Sequence, residues 1–393
     1  MNRVTWLRLV GWVVPVGLLA MLLSGAAAGQ AQEPGRARAS RVNDPEVKEA
    51  IHLGLEWLAR NQHPDGHWEA NNGQYPTSMT ALAGMAMLME GSTLREGRYA
   101  ERINKAVEWF LKRSQPNGLL GNPNNPTEAQ RYMYGHGFGL LFLASVYGEE
   151  KDGPAGKAVR DKLEDLLTRA VKFCGNAQTD RGGWGYVSAL EGNNFDEGSV
   201  TITQLQALRA AKNAGIVVPK TIIDKSIKYL RDSTTPKGGV IYSLAHGSAG
   251  VGQERPPLTA AAIACSFSAG QYKSEDAKKW IAYCKDSIYK SVVGTGRPVG
   301  GHDEYQSYYF AQAMYVLGDN MYKELFPNSP ANDQMRWTEY RDKMYEFILK
   351  SQNRGEGRDK GSWNGGYIGQ VFSTSVNLCI LQLERNTLPI YAR

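Results

Sequence analysis

Apolar residues recur along this chain in two alternating patterns. In the first, they line one stripe of a helix while charged residues take the other face. Residues 46–61 put Val47, Ile51, Leu55 and Leu58 on one stripe, with Lys48, Glu49 and Glu56 elsewhere. Residues 101–113 do the same with Ile103, Val107, Phe110 and Leu111. This i, i+4, i+7 spacing predicts amphipathic helices with one face on a core. In the second pattern, small and apolar residues cover every face, as over residues 79–89, with Met79, Leu82, Met85, Met87 and Met89. Its counterparts are residues 137–147, 199–214, 258–269, 305–317 and 372–384. Helices apolar nearly all round are buried. No strand-like alternation persists for long.

A Gly-rich turn with an aromatic joins each first-pattern helix to the next second-pattern one. Gln62 is followed by Asp65, Gly66 and Trp68, and Gln115 by Asn117 and Gly118. Gln178 is followed by Gly182, Gly183 and Trp184, and Gln352 by Gly361 and Trp363. Another copy keeps Gly238, Gly239 and Tyr242 without the Gln, and a worn one carries Gly294, Gly296, Gly300 and Gly301. The Gln spacings are 53, 63 and 174 residues, the last being three periods of 58, so there are six units. Repeats of this kind fix architecture before local reading does. Six polar-faced outer helices around six buried inner ones predict an all-α (α/α)6 barrel, a toroid formed as one domain over residues 45–393.

The turn residues read as structural. Gln62, Gln115 and Gln352 stand where outer helices end with unsatisfied carbonyls, and can also reach amides of the next helix. Gly66, Gly118 and Gly183 suit left-handed turn positions. Trp68, Trp184 and Trp363 pack over the hairpins.

Composition adds a location and removes a partner. Arg3 and Arg8 precede an apolar run over residues 9–23, and Ala26 to Ala28 offer small residues for cleavage. Residues 1–28 therefore read as a secretory signal, and 29–44 as a flexible leader. The chain is expected to be exported, periplasmic or extracellular, with an uncleaved anchor as the alternative, so membrane association stays open. The net charge of +6 falls to +4 without the signal, and it is evenly spread, which argues against nucleic acid. Cys174, Cys265, Cys284 and Cys379 match no metal-ligand spacing and read as small buried hydrophobes. No cofactor is called for.

The run from Gln62 to Trp68 resembles the QW repeats of squalene-hopene cyclases and related triterpene cyclases, whose toroid protein prenyltransferase β-subunits share. The tail, Phe372 to Leu383 and Leu388 to Tyr391, resembles the end of secreted bacterial prenyltransferase and squalene oxidase repeat proteins. The resemblance spans about residues 45–391 through its periodicity. It implies the toroid and a central cavity. It does not settle the reaction, because one fold hosts many functions.

The family's protonating Asp-x-Asp-Asp motif is absent. The nearest match is Asn194-Phe195-Asp196-Glu197, before the inner helix near Ser199. On that alignment Asp196 takes the acid's place, with Glu197 beside it. Helix capping by the same residues is the alternative. A second acidic pair, Asp303 and Glu304, follows His302 before another inner helix, and two such carboxyls at one mouth would suit glycan cleavage. The prenyltransferase zinc ligands are missing, and no metal ligand set is read. Tyr134, His136, Phe195, Tyr305, Tyr308 and Tyr367 are the candidate ligand-binding residues, since aromatic faces steady cations or stack on sugars. The sequence thus favours an exported cyclase-like repeat protein that binds or cyclises an isoprenoid. Two alternatives remain: a non-catalytic toroid holding an apolar molecule, glycan or protein, and a secreted polysaccharide lyase or hydrolase.

Overall fold

The computed structural model of this chain describes residues 39–191, 194–247, 249–268, 270–298 and 302–391. The signal read over residues 1–28, residues 29–38 of the leader, and Gly300 and Gly301 of the worn turn lie outside them.

The second-pattern segments form six inner helices: α2 (Pro76–Glu90), α4 (Tyr132–Val146), α6 (Gly198–Asn213), α8 (Pro256–Ser268), α11 (Asp303–Leu317) and α14 (Gln370–Gln382). The amphipathic segments form the outer layer: α1 (Pro45–Arg60), α3 (Ala100–Arg113), α5 (Pro154–Asn176), α7 (Lys220–Asp232) and α13 (Trp337–Ser351). The fifth outer helix is α9 (Glu275–Cys284), running through a π-type turn at 285–289 into α10 (Lys290–Thr295). A short helix, α12 (Met321–Leu325), lies in the connection to α13. The inner helices pack in a closed circuit, α2 on α4, then α6, α8, α11 and α14, which returns to α2. This is the six-hairpin toroid expected. Among the described residues there is no β-sheet, and no helix is long and apolar enough to cross a membrane.

Helix starts follow local chemistry. Asp44 caps α1 by accepting from the Glu46 amide at 2.9 Å, with Pro45 supplying the first helical φ. The preceding segment is tied down rather than loose. Ser40 Oγ and the Arg41 amide both donate to Glu384 Oε2, at 2.9 and 2.8 Å. The described end of the leader, residues 40–44, is therefore docked on the last repeat.

The turns repeat one set of bonds. The indole N–H of Trp68 donates to the Leu58 carbonyl (2.8 Å), that of Trp184 to Cys174 (2.7 Å), and that of Trp363 to Ile348 (2.7 Å). Each bond satisfies a carbonyl near an outer helix's end while burying a large apolar surface. The backbone N–H of the same tryptophans donates to a threonine on the inner helix: Thr80, Thr201 or Thr374, at 2.9–3.1 Å. In the fourth copy Val240 replaces the tryptophan and keeps the bond, to Thr259.

The glutamine amide reaches outward. Gln62 Nε2 donates to the Gly66 and Arg102 carbonyls, Gln178 to Gly182 and Ile222, and Gln352 to Gly361 and Ala50. The partner on the next outer helix is thus a carbonyl, not an amide. Gln115 departs from this, with only a 3.4 Å contact to the Arg113 carbonyl. Gly66, at φ +106°, lies so close to Lys105 that a Cβ would stand 2.3 Å from its carbonyl oxygen. Gly118 takes the equivalent place; in the third copy it falls to Gly182, while Gly183 packs on Tyr229.

Candidate functional site

The N-terminal ends of all six inner helices open into one cavity of about 1330 Å³. Its apolar wall includes Met79 and Leu82 of α2, Phe138 of α4, Leu258 of α8 and Phe372 of α14. Its polar residues include Arg131, Arg255, Glu197, Glu254, Asp303 and Glu304, with Tyr75, Tyr134, Tyr186, Tyr242, Tyr305 and Tyr367 interleaved. Arg131 lies over the Tyr186 ring at 4.8 Å, and Tyr134 packs against Tyr186 at 5.9 Å.

Side chains of α6 and α11, the two inner helices that flank α8, meet inside the ring. Tyr305 O–H donates to the Ser199 carbonyl at 3.5 Å, the Thr203 and Tyr309 hydroxyls stand 3.5 Å apart, and Gln206 Nε2 donates to Gln312 Oε1 at 2.7 Å. Beside this seam the C-terminal turn at Pro389–Tyr391 packs on α6, and the Tyr391 hydroxyl pairs with that of Tyr308 at 2.8 Å. The bore is therefore filled away from the mouth, and the cavity is a cup.

The structure separates the two acids of the Asn194–Glu197 run. Asp196 does not line the cup. It is fully buried and accepts from the Arg181 guanidinium, Tyr229 O–H (2.9 Å), Ser243 Oγ (3.1 Å) and the Leu244 amide (2.8 Å). Arg181 also donates to the Asn194 carbonyl, so this cluster pins the loop before α6 to the next repeat. These four donors engage both of its carboxylate oxygens. That geometry corrects the sequence reading, in which Asp196 donates a proton into the cavity. Glu197 is the member that faces the cup. It caps α6 by accepting from the Val200 amide at 2.9 Å, and it accepts from Ser199 Oγ at 2.5 Å and Tyr134 O–H at 3.4 Å. Burial pushes its carboxyl above the ordinary value, against the pull of these hydrogen bonds.

Asp303 and Glu304 begin α11 on the cup's wall, after His302 in a left-handed conformation at φ +67°. Glu304 accepts from Ser373 Oγ at 3.2 Å. Asp303 Oδ1 is buried and meets no hydrogen-bond donor of the protein. Burial, then the neighbouring Glu304, raises the Asp303 carboxyl above its ordinary value.

Among the aromatic candidates, Tyr134 and Tyr305 line the cup and Tyr367 stands exposed at its rim. Phe195 lies outside the lining, among Tyr186, Tyr242 and His246. Tyr308 is turned to Tyr391 and takes no part in the cup. His136 is also a correction. It is fully buried against Phe173, and its Nδ1 accepts from the Leu120 amide at 3.4 Å. In the second repeat it occupies the place that threonine fills elsewhere. Burial pulls its pKa down to about 3, so it stays neutral.

The four cysteines are buried and none is disulfide-bonded. Burial pushes the Cys379 thiol up to about 12 and the other three higher still, so none is a nucleophile at neutral pH. One group went unnoticed in the sequence. His63, His67 and Glu69, in the first turn, bring three potential ligand atoms within 4.8 Å of one another.

No family model matches the chain. An 88-residue stretch is 31% identical to human lanosterol synthase and 28% identical to the Mus musculus enzyme. That stretch is 22% of this chain and 12% of either relative. Among solved structures, the GH76A α-1,6-mannanase from Salegentibacter aligns with 86% of this chain and 98% of its own, at TM-score 0.55 and 9% identity. The type II terpene cyclase MstE from Scytonema aligns with 87% and 99%, at TM-score 0.54 and 13% identity. The chain thus shares the helical toroid fold of these enzymes.

Proposed function

We propose that this chain is an exported glycan-handling toroid that seats an oligosaccharide in the cup, with Asp303 and Glu304 performing acid–base chemistry on it. One observation carries the reading: Asp303, whose carboxyl has a buried oxygen without a protein partner, lines an open, tyrosine-rich cavity. A carboxyl raised above its ordinary value by burial and a like-charged neighbour is better suited to hold and pass on a proton. The tyrosines offer faces for sugar rings, and Arg131 and Arg255 offer donors for hydroxyls. Two further observations support this choice. The mannanase neighbour has a variant, with two consecutive aspartates changed to asparagine, that is described as inactive and is held in complex with α-1,6-mannotriose. Asp196, the residue aligned with a cyclase acid, is locked away from the cup. Export rests on residues 1–28, and we read the recurring Gln–Gly–Trp turns as QW-type repeats.

The second reading is an isoprenoid ligand. It is favoured by the lanosterol synthase match and by the apolar wall of Met79, Leu82, Phe138, Leu258 and Phe372. The test incubates the purified protein separately with an oligosaccharide panel and with a membrane-lipid extract, followed by mass spectrometry of bound and released species. Shortened oligosaccharides from the native protein, but not from Asp303→Asn or Glu304→Gln, are expected. A retained isoprenoid with no glycan turnover would replace the first reading by the second.

A further inference from the structure

The turn of the first repeat carries a feature that its siblings lack. Residues 63–69 read His-Pro-Asp-Gly-His-Trp-Glu, and only this copy holds two histidines. The turn is tightly closed: the His63 amide donates to the His67 carbonyl, and the Gly66 amide to the His63 carbonyl, both at 2.9 Å. This stacks the two imidazoles at 4.2 Å and 18°, with the Trp109 ring of α3 behind His67 at 5.4 Å.

The nitrogens converge. His63 Nε2 lies 3.7 Å from Glu69 Oε1, and His67 Nε2 lies 3.5 Å from Glu69 Oε2. Bound zinc takes nitrogen and oxygen ligands at about 2.0–2.2 Å, which puts tetrahedral neighbours about 3.4 Å apart. The His–Glu separations here are already near that spacing. The opposite nitrogen of His67, Nδ1, stands 2.6 Å from Asp65 Oδ1. A carboxylate on Nδ1–H fixes the tautomer with the Nε2 lone pair free, an arrangement that orients histidines on metals.

We propose that His63, His67 and Glu69 form a binding site for a zinc-class divalent cation, with Asp65 as the positioning residue for His67. The side chains are between 17% and 42% exposed, so an ion reaches them from solvent. Three protein ligands leave a fourth position for water or a ligand atom, as in open zinc sites. A mixed imidazole–carboxylate set favours Zn²⁺ over Mg²⁺ or Ca²⁺. The site is independent of the cup and of the function proposed for it.

The test uses the full chain, stripped with chelator and titrated with Zn²⁺ by calorimetry and with Co²⁺ by visible absorption. One equivalent of either ion and a tetrahedral Co²⁺ spectrum are expected. His63→Gln, His67→Gln and Glu69→Gln each abolish that equivalent. Asp65→Asn weakens it by about 10–100-fold while keeping the stoichiometry. Thermal unfolding in chelator keeps folding separate from binding, since His63 lies on the surface of the turn and its variant unfolds there as the native chain does. Absence of a stoichiometric site would overturn the proposal. So would a bound equivalent that survives both histidine substitutions, because the ion then sits elsewhere.

Discussion

Gln352 and Ala50 are 302 residues apart in sequence, yet the Gln352 side-chain amide donates to the Ala50 carbonyl at 2.9 Å. This bond clasps the last outer helix to the first. It has company along the same joint: Trp57 Nε1 donates to the Arg358 carbonyl, and Gln382 Nε2 to the Ala86 carbonyl. The ring is thus closed by side-chain donors on backbone acceptors at both layers.

Clasp strength should differ between repeats. Gln352 is buried and serves two carbonyls, whereas Gln115 touches one carbonyl of its own helix end at 3.4 Å. Replacing Gln352 by Leu removes two hydrogen bonds worth about 1 kcal/mol each, for roughly 2 kcal/mol of stability. The same change at Gln115 should cost below about 0.5 kcal/mol, as for a surface substitution. Urea unfolding of both variants checks the difference. Equal losses would show that the clasp adds nothing specific.

The acids before the inner helices divide into structural and chemical ones. Asp196→Asn leaves the Arg181 guanidinium facing a neutral amide and should cost about 3 kcal/mol, the lower end for breaking a buried ion pair, since Arg181 is partly exposed. Whatever remains folded should turn over substrate normally. Asp303→Asn should do the reverse, with the unfolding midpoint little changed and turnover lost. A calorimetric scan beside a turnover assay separates the two, and loss of turnover per folded molecule in Asp196→Asn would contradict the assignment.

Glu197 gives a pH dependence with a fixed sign. Burial raises its folded-state carboxyl above the ordinary 4.5 of the unfolded chain, so the folded state holds the proton longer. Its contribution is fully present below 4.5 and is lost as pH climbs through the raised folded value. Asp303 acts in the same direction, starting from 3.8. Subtracting the stability curve of Glu197→Gln from that of the native protein, from acid to neutral pH, should leave a downward slope as pH rises. A flat or rising difference would place the Glu197 carboxyl at or below its ordinary value.

Architecture was legible because it is periodic. The all-round apolar segments from Met79 to Met89 and from Tyr305 to Leu317 announce buried inner helices, and the turns recur at a countable spacing. Site geometry was legible only to the level of the mouth. Asp196 and Glu197 are adjacent, and both precede α6, so sequence could not say which faces inward. The answer depends on Tyr229, Ser243 and Leu244 of the next repeat, which surround Asp196 with donors. His136 misled for a related reason: its equivalence to Thr80 and Thr201 shows only once the Leu120 amide is seen to donate to it. The His63–Glu69 group is hidden by the repeat itself, since Gln62, Gly66 and Trp68 already account for the turn.

The C-terminal turn should act as a plug. Leu388, Ile390 and Tyr391 are all buried, and Tyr391 meets Tyr308 of α11 through paired hydroxyls. Removing residues 388–393 takes three buried side chains from the filled end of the bore and leaves Tyr308 without that partner. At about 1.5–3 kcal/mol per buried apolar side chain, the loss is on the order of 5 kcal/mol. The milder Tyr391→Phe keeps the packing and gives up one neutral hydrogen bond, about 1 kcal/mol. The truncated chain should also bind a hydrophobic dye more strongly than the native protein, because the cup then connects to the far side of the ring. Tyr391→Phe should not. If truncation left both the unfolding midpoint and dye binding unchanged, the turn would be an appendage, and the α6–α11 seam at Ser199, Thr203 and Gln206 would close the bore alone.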